Sequence, residues 1–278
     1  MFIPNPLNHM YIRLKSLRFI VSQFLMSSFD NIALAYDDSV DWKARLAREI
    51  PFLMSRLGNP KGKRVLDLAC GTGRHSVALT LEGAEVVGID NSKVMISRAQ
   101  KLAESNRVST EFVIGDIEAF QSIAPGQFDL IICLGNSLAL LDSLSVLERV
   151  LSSVFSSLKD GSVFVAQVLN FEEIHRTGFR LFPQKIGKMA TGEEVVFSRF
   201  YEHTDPPNSS TLVMSAQTKV KGDWTTVVSK QKVLNLNENL MKRYLAQAGF
   251  RETRFYSDYS ESIFVGSDDR NMVIHSRR

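Results

Sequence analysis

The sequence predicts an α/β protein with a doubly wound parallel sheet, into which an antiparallel β subdomain is inserted. Three observations support this fold class. From Ser28 onward, continuous apolar segments typical of strands buried on both faces alternate with helical segments. Between about residues 179 and 234 the helical period disappears, and alternating polar and apolar residues indicate antiparallel strands. A length of 278 residues suffices for one large domain that carries an insertion.

Five strands of the parallel sheet are predicted in chain order. They are KRVLDLAC, AEVVGID, TEFVIGD, FDLIICLG and SVFVAQVLN. Helices are predicted after the first two strands, in RHSVALTLEG and in KVMISRAQKLAES, and Ser92 is expected to cap the second helix. A further helix is expected to begin after Asp142 as its cap and to end at Gly161. Its apolar stripe consists of Leu144, Leu147, Leu151, Val154 and Leu158.

The inserted segment contains three predicted strands, VVFSRFYEH, TLVMSAQTKV and WTTVVSKQKVL. Residues 205–208 separate the first two strands, and Gly222 with Asp223 predicts a tight hairpin between the second and third. The helix NENLMKRYLAQAGF and the strands RETRFYSDY and NMVIHSRR are expected to complete the parallel unit.

Charge and cysteine content narrow the function classes. The net charge of +3 comes without a clustered basic face, so nucleic acid is not an expected partner. No segment reaches the roughly 18 apolar residues of a membrane span, so no membrane partner is expected either. Cys70 and Cys133 lie in apolar strands, which indicates buried thiols in a reducing, cytoplasmic compartment and no metal site. The oligomeric state stays open, and a homo-oligomer is one option.

Residues 1–25 form an N-terminal extension ahead of the predicted domain of residues 26–278. The extension contains no acid, carries Arg13, Lys15 and Arg18, and ends in a short apolar stretch, which is typical of a targeting peptide. Polar residues interrupt the stretch, however, and no small-residue cleavage site follows it. Two interpretations stay open: a targeting peptide, or a disordered extension upstream of a true start at Met26.

A glycine-containing turn follows the first strand, in VLDLACGTGRHS. Gly71 and Gly73 let a ligand approach the backbone, at the edge where open α/β sheets bind ligands. Dinucleotide-binding turns carry a third glycine three positions later, and that position is Ser76 here. Asp67 on the strand would also repel a phosphate. We therefore assign Asp67, Gly71 and Gly73 to a site for a cationic or amine-bearing ligand.

Acids also end the next two predicted strands. Asp90 lies about twenty residues past Gly71, where a carboxylate can accept both hydroxyls of a ribose. Asp116 ends the third strand, where it can accept from the exocyclic amine of an adenine. An adenosine that lacks phosphate and carries a positive, amine-bearing tail is S-adenosylmethionine. Each acid alone could instead be a helix cap or a loop residue, so the prediction rests on their joint occurrence.

The motifs VLDLACGTGRHS, VVGIDNSKVM, GDIE and FDLIICLGNSLALL resemble the successive motifs of class I S-adenosylmethionine-dependent methyltransferases. The resemblance implies a Rossmann-like seven-stranded sheet. LACGTG and ICLGNSLALL, together with the inserted sheet, resemble more narrowly the glycine and sarcosine N-methyltransferases. This narrower resemblance implies that a small molecule is methylated, with a nitrogen as the expected nucleophile.

The resemblance also assigns cofactor contacts to positions of this chain. These are Ala69 and Gly71 at the methionine end, Asp90 at the ribose, Asp116 and Ile117 at the adenine, and the backbone of Leu134 at the tail. In those enzymes a tyrosine, a tryptophan and an arginine ahead of the first strand fold over the cofactor, and this chain has Tyr36, Trp42 and Arg45. The spacing between Tyr36 and Trp42 is shorter than in the family, and a plain core role is the alternative for Trp42.

The acceptor side departs from the family. Asn136, at the mouth of the fourth strand, would face the acceptor. The family has an aspartate-histidine-arginine-asparagine run after the fifth strand, and its arginine clamps the carboxylate of the amino acid. QVLN keeps Asn170 but has Leu169 at the arginine position. Because a leucine cannot hold a carboxylate, we expect an acceptor with a neutral or apolar face, unless Arg199 replaces the clamp.

No catalytic residue is assigned, because a sulfonium is already activated and the site has mainly to align the reactants. His75 is accordingly expected on the surface of a helix N-terminus. Two other functions stay open: an NAD-dependent oxidoreductase on a similar sheet, and a non-catalytic module that binds adenosylmethionine. Asp67 and Ser76 disfavour the oxidoreductase, and the complete set of motifs together with Asn136 disfavours the module.

Overall fold

The computed structural model describes residue 37 and residues 40–188, 192–204, 209–220 and 223–278. Four predictions fall outside these residues: the extension of residues 1–25, Tyr36, the loop 205–208 and Gly222. The described residues form two compact units. The larger unit comprises residues 40–182, 199–213 and 230–278, and the smaller unit includes described residues of 183–198 and 214–229.

The helices and strands are as follows. The helices are α1 (Trp42–Leu57), α2 (Arg74–Leu81), α3 (Lys93–Ser105), α4 (Phe120–Ile123), α5 (Leu144–Ser157), α6 (Phe171–Thr177) and α7 (Glu238–Ala248). The strands are β1 (Arg64–Leu68), β2 (Glu85–Asp90), β3 (Glu111–Ile114), β4 (Phe128–Cys133), β5 (Leu158–Leu169), β6 (Lys185–Lys188), β7 (Glu194–His203), β8 (Ser209–Val220), β9 (Asp223–Leu234), β10 (Glu252–Tyr256) and β11 (Asn271–Arg277). Two short 3-10 helices span Ile117–Ala119 and Ser137–Leu140.

The main sheet has seven strands in the order β10-β11-β5-β4-β1-β2-β3. Strands β1 to β5 are parallel to one another, whereas β11 pairs antiparallel with both β5 and β10. The strand order reverses beside β1, whose neighbours are β2 and β4, so a crevice is expected at the carboxyl end of β1. The carboxyl ends of all five parallel strands therefore meet at one edge of the sheet.

A second sheet is antiparallel and has the order β6-β7-β8-β9. The sequence predicted three strands in this segment, and the structure adds the four-residue strand β6, which pairs with β7. The prediction of a doubly wound sheet with an additional antiparallel sheet is confirmed.

The apolar character of the strands follows from burial on both faces. Along β1, Val65 belongs to the apolar cluster that includes α1, and Leu66 belongs to the cluster that includes α5 and α7. Leu130 and Ile131 alternate in the same way along β4, and all four side chains are fully buried. Because successive strand residues point to opposite faces, a strand covered on both sides reads as one continuous apolar run.

Two predicted helix boundaries are wrong. Ser143, not Asp142, caps α5, and its hydroxyl accepts a backbone N–H of the first turn at 3.3 Å. The helix ends at Ser157 and not at Gly161, because Leu158 turns to extended backbone and begins β5. Ser92 caps α3 as predicted. Within the described ranges, none of the helices combines the length and the apolar character needed to span a membrane.

Candidate active site

The turn after β1 is a tight loop with an unusual backbone. Ala69, Gly71 and Gly73 all adopt left-handed φ angles, of +57°, +56° and +74°. The loop is fixed by hydrogen bonds from the N–H of Cys70 to the carbonyl of Ile89 and from the N–H of Gly73 to the carbonyl of Cys70, both 3.0 Å long. A left-handed alanine costs about 1–3 kcal/mol, and such strain clusters at functional sites. The loop is therefore a strong candidate for ligand contact.

The two glycines of the loop have different surroundings. A Cβ atom on Gly71 would meet nothing within 4 Å, so this position borders open space. A Cβ atom on Gly73 would lie 2.7 Å from the Cβ of Ala99 and 2.7 Å from the Cζ of Phe112. The backbone of Gly71 can therefore be approached by a ligand, whereas Gly73 lacks a side chain because α3 and β3 pack against it.

Asp90 is anchored at the end of β2. One carboxylate oxygen accepts from the N–H of Gly71 and the other from the N–H of Ser92, both at 2.9 Å. Burial raises the pKa of Asp90, and the two N–H groups partly counter that rise. A carboxylate offers about four acceptor positions, so each oxygen keeps one for a ligand hydroxyl. The structure places Asp90 at the carboxyl end of β2, beside the turn after β1, and its contact with a ribose stays a prediction.

Asp67 is buried beneath the loop, only 3% exposed. The hydroxyl of Ser76 donates to its Oδ2 at 2.6 Å. The pKa of Asp67 is raised from its ordinary 3.8 to about 6, chiefly by burial and also by the charge of Asp90, while His75 and the Ser76 hydrogen bond oppose the rise. Dinucleotide-binding turns have a glycine at the position of Ser76. Here the Ser76 side chain instead binds the carboxylate of Asp67 at the first turn of α2. A pyrophosphate would be repelled there.

A second buried acid, Glu49 on α1, joins two predicted residues. Its Oε1 accepts from the Nε of Arg45 at 2.8 Å, and its Oε2 lies 2.5 Å from the Nε2 of His75. Burial opposes ionisation, but the hydrogen bonds and charges of His75 and Arg45 hold the pKa of Glu49 below its ordinary value. The prediction that His75 lies on the surface is wrong, because the ring is buried against Glu49 and is 6% exposed.

Trp42 and Arg45 lie together at the start of α1. The guanidinium of Arg45 lies 4.9 Å from the centre of the Trp42 ring, and the same ring meets His75 edge-on at 5.7 Å. The Nη2 atom of Arg45 lies 3.9 Å from where a Cβ of Gly135 would be, so Arg45 reaches past Glu49 toward the carboxyl end of β4. The structure therefore brings both residues to the edge of the sheet at which the parallel strands have their carboxyl ends.

The predicted adenine contacts lie after β3. Asp116 is exposed and caps the 3-10 helix that begins at Ile117, because its Oδ1 accepts from the N–H of Glu118 at 2.9 Å. Ile117 is half-buried and packs against the apolar cluster of α5 and α7. Asp116 therefore does act as a helix cap, which was the alternative interpretation. Its second carboxylate oxygen can still accept hydrogen bonds from a ligand.

At the end of β4, Leu134 and Asn136 approach β5. The carbonyl of Leu134 accepts from the hydroxyl of Ser137 at 2.9 Å. Asn136 has a left-handed φ of +69°, and its Oδ1 accepts from the N–H of Leu169 at 2.8 Å. Asn136 and Leu169 are thus brought together, and their contact with an acceptor stays a prediction.

Asn170 has a structural role instead. Its amide nitrogen donates to the carbonyls of Gly266 at 2.6 Å and Asp269 at 2.9 Å, and its Oδ1 accepts from the N–H of Glu172 at 3.1 Å. The side chain is fully buried and caps α6. The structure contradicts the prediction that Asn170 contacts the acceptor, because its polar atoms are already paired and closed to solvent.

Sequence reasoning missed Glu49. The available signal was the spacing of Arg45 and Glu49, four residues apart on a helix whose other face is apolar. That spacing usually marks an exposed ion pair. Here α1 packs on the sheet, so Glu49 lies on the buried side of the helix. There it binds His75 as well as Arg45.

Comparisons with known proteins give a consistent result. A family model described as a methyltransferase domain matches residues 59–239. A glycine/sarcosine/dimethylglycine N-methyltransferase of Actinopolyspora halophila is 30% identical over 245 residues, which are 86% of this chain, and this chain spans only 40% of that protein. A glycine/sarcosine N-methyltransferase of Aphanothece halophytica is 27% identical, over 86% of this chain and 85% of the relative.

Solved structures show the same fold. An S-adenosylmethionine-dependent methyltransferase from Clostridium acetobutylicum superimposes with a TM-score of 0.69 and 18% identity, covering 86% of this chain and 92% of the other. A sugar N-methyltransferase from a Streptoalloteichus species superimposes with a TM-score of 0.66 and 20% identity, covering 86% of this chain and 88% of the other.

Proposed function

Because the chain belongs to the methyltransferase domain family, we propose that it transfers the methyl group of S-adenosylmethionine to a nitrogen of a small molecule. The resemblance drawn from the sequence motifs is confirmed at the level of the family. One observation of the structure carries the proposal: the strained loop of residues 69–73 presents open space beside Gly71, directly next to the anchored carboxylate of Asp90.

The residues of the loop fit S-adenosylmethionine better than a dinucleotide. Two carboxylates, Asp67 and Asp90, lie at the carboxyl ends of β1 and β2. Such a set favours a ligand with a sulfonium and an ammonium group, and it disfavours a pyrophosphate. No observation favours the NAD-dependent alternative.

We assign the cofactor contacts to the residues that the sequence named. Asp90 accepts the ribose hydroxyls, and charge-assisted hydrogen bonds of this kind contribute about 1.5–3 kcal/mol each. The backbone at Ala69 and Gly71 lines the methionine end, and Trp42 and Arg45 cover it. Asp116, Ile117 and the backbone of Leu134 complete the assignment, and Tyr36 stays a prediction.

The reaction requires mainly that the acceptor nitrogen and the methyl group be aligned. When bound, the cofactor supplies a methyl group on a positively charged sulfur. The sulfur is a good leaving group because it departs as a neutral thioether. The chain has to hold the acceptor nitrogen in line with that methyl group and exclude water, and alignment can supply about 7–11 kcal/mol. The nitrogen must be neutral to attack, and an apolar surface such as Leu169 lowers the pKa of an amine by desolvating its charged form.

The acceptor is proposed to be an amine without a carboxylate. The two relatives from A. halophila and A. halophytica are named for glycine and sarcosine. The family resemblance puts an arginine clamp at the position of Leu169, and a leucine offers a carboxylate no partner. Arg199, the alternative clamp, has its guanidinium 4.6 Å from the centre of the Phe182 ring. An unpaired carboxylate placed against Leu169 would cost several kcal/mol.

The test is an assay of labelled methyl transfer with glycine, sarcosine and a panel of uncharged amines. We expect transfer to uncharged amines and little or none to glycine. Leu169→Arg is the matched variant, since it restores the missing cation and should raise the rate with glycine relative to the amines. Efficient methylation of glycine that survives Arg199→Ala would contradict the proposed acceptor class.

A further inference from the structure

Glu49 is a buried acid on α1, a helix whose other buried side chains are apolar. The residue is 4% exposed, and Phe52, Leu53 and Leu57 are the other side chains that the helix buries. Burial of a charge is costly, and an apolar side chain of similar volume at such a position is often neutral or stabilising for the fold. The burial of an acid here therefore calls for an explanation other than packing.

The two oxygens of Glu49 bind side chains from two different helices. Oε1 accepts from the Nε of Arg45, one turn earlier on α1, at 2.8 Å, and Oε2 lies 2.5 Å from the Nε2 of His75. His75 is the second residue of α2, the helix that begins directly after the loop of residues 69–73. Because both oxygens have a partner, the carboxylate is held in one orientation, and it connects Arg45 to the helix that follows the loop.

Arg45 uses only one of its donors in this contact. A guanidinium has five N–H groups, and Glu49 accepts from the one on Nε. Among the described residues, no acceptor is hydrogen-bonded to Nη1 or Nη2. Nη2 lies 3.9 Å from where a Cβ of Gly135 would be, just past the end of β4. The four Nη donors are therefore available at the edge where the parallel strands have their carboxyl ends.

We propose that Glu49, itself held by His75, is a positioning residue that fixes the guanidinium of Arg45 so that its Nη edge receives the carboxylate of S-adenosylmethionine. The inference rests on the proposed function, which assigns Arg45 to the methionine end of the cofactor. The carboxylate is the only anionic group of that ligand. An arginine binds a carboxylate through two parallel N–H···O bonds when its planar fork has the right orientation. With Nε held by Glu49, Nη1 and Nη2 are the pair left for that contact.

Fixing Arg45 in advance makes binding more favourable. A free arginine side chain loses rotamer freedom when it binds a ligand, and a side chain already held in its bound orientation loses less. The expected gain corresponds to about three- to tenfold in affinity. A role through charge alone would act through the whole carboxylate of Glu49, whatever Arg45 does. The two roles can therefore be separated by variants that remove the charge of Glu49 with and without its hydrogen-bond acceptor.

The variants Glu49→Met and Glu49→Gln test this role. Methionine keeps the length of the side chain and has no oxygen acceptor, whereas glutamine keeps a neutral oxygen for the Nε of Arg45. We expect the affinity for S-adenosylmethionine, measured by calorimetry, to fall about three- to tenfold in Glu49→Met and by less in Glu49→Gln. The affinity for methylthioadenosine, which lacks the amino acid group and its carboxylate, should be unchanged in both variants.

Asp129→Asn is the matched control. Asp129 is another buried carboxylate with two side-chain donors, the Nζ atoms of Lys63 at 2.9 Å and Lys159 at 2.7 Å. It lies at the amino end of β4, the opposite edge of the sheet from Arg45 and the loop. Asp129→Asn should leave the affinity for both ligands unchanged.

A double variant shows whether Glu49 acts through Arg45. In an Arg45→Ala background, Glu49→Met should no longer change the affinity for S-adenosylmethionine, because the side chain that it positions is absent. A loss that persists without Arg45 would overturn the proposal, and so would equal losses for the two ligands or for the two Glu49 variants. An unchanged or raised affinity of Glu49→Met would overturn it as well. If Glu49→Met does not fold, the two ligands are compared with Glu49→Gln, and equal affinity changes for both would overturn the proposal. A wild type that fails to bind S-adenosylmethionine would instead remove the proposed function itself.

Discussion

Asp90 is the residue on which the proposed cofactor site depends most directly. Replacing it in Asp90→Ala removes the acceptors for the ribose, so we expect the affinity for S-adenosylmethionine to fall tenfold or more. The variant also loses its bonds to the N–H groups of Gly71 and Ser92, with a cost of about 1 kcal/mol in stability.

Calorimetric titration of Asp90→Ala measures the loss of affinity, and urea unfolding measures the loss of stability. Ser143→Ala, which loses the cap of α5, is the control and should bind normally, because the Ser143 side chain makes its hydrogen bonds within residues 143–146. Unchanged binding by Asp90→Ala would contradict the site.

Asp67 gives a prediction about pH. Its pKa is raised by burial from 3.8 in an ordinary environment to about 6 in the fold. The folded protein therefore holds this proton more tightly than the unfolded chain, and the contribution of Asp67 to stability is full below pH 4 and lost as the pH rises to 6. A shift of about two pKa units corresponds to about 3 kcal/mol.

The variant Asp67→Asn, which cannot ionise, should show the difference. Relative to the wild type, its free energy of unfolding should rise by about 3 kcal/mol between pH 4 and pH 7. Urea unfolding at pH 4, 5.5 and 7 measures this, and groups common to both proteins cancel in the comparison. A difference between the two proteins that does not change with pH would show that Asp67 keeps an ordinary pKa.

The sequence predicted which residue types end the strands, but not how each side chain is used. Asp67 and Asp90 were recognisable because strand ends are local features of the sequence. The roles of His75 and Asn170 were predicted wrongly, since their partners, Glu49 in one case and the carbonyls of Gly266 and Asp269 in the other, are distant in sequence. Only the folded chain brings such partners together.

At the scale of the elements, the loop between β1 and α2 separates binding from packing. Gly73→Ala would press a methyl group to 2.7 Å from Ala99 and Phe112, so we expect a loss of stability of about 1–3 kcal/mol or more. Gly71→Ala meets no neighbour and adds only the strain of a left-handed alanine, about 1–3 kcal/mol, which Gly73→Ala has in addition to its clash. Its methyl group would instead occupy the space assigned to the cofactor.

The two variants should therefore affect different properties of the protein. Gly71→Ala should lose mainly affinity for S-adenosylmethionine, and Gly73→Ala mainly stability; thermal unfolding and calorimetry are measured on both. Equal losses of affinity and stability in the two variants would mean that the loop has a single role.

Element types were predicted better than their ends. The parallel strands were recognisable because burial on both faces makes them continuously apolar. The cap of α5 was misplaced by one residue, since Asp142 and Ser143 are both good capping residues and sequence alone does not choose between them. Strand β6 was missed because Lys185–Lys188 is short and pairs only through β7, which is a tertiary feature.

At the scale of the whole molecule, binding of the correct cofactor should appear as stabilisation of the fold. A ligand present at a hundred times its dissociation constant stabilises the native state by about 2.7 kcal/mol. For a chain of this size, 1 kcal/mol corresponds to about 2–4 °C in melting temperature, so S-adenosylmethionine should raise it by about 5–10 °C. NAD at the same concentration should leave it unchanged, because the carboxylate of Asp67 lies against the first turn of α2, where a pyrophosphate would lie. Asp90→Ala at the same cofactor concentration should lose most of the shift. A shift with NAD as large as with S-adenosylmethionine would contradict the proposed cofactor and favour an oxidoreductase on the same sheet.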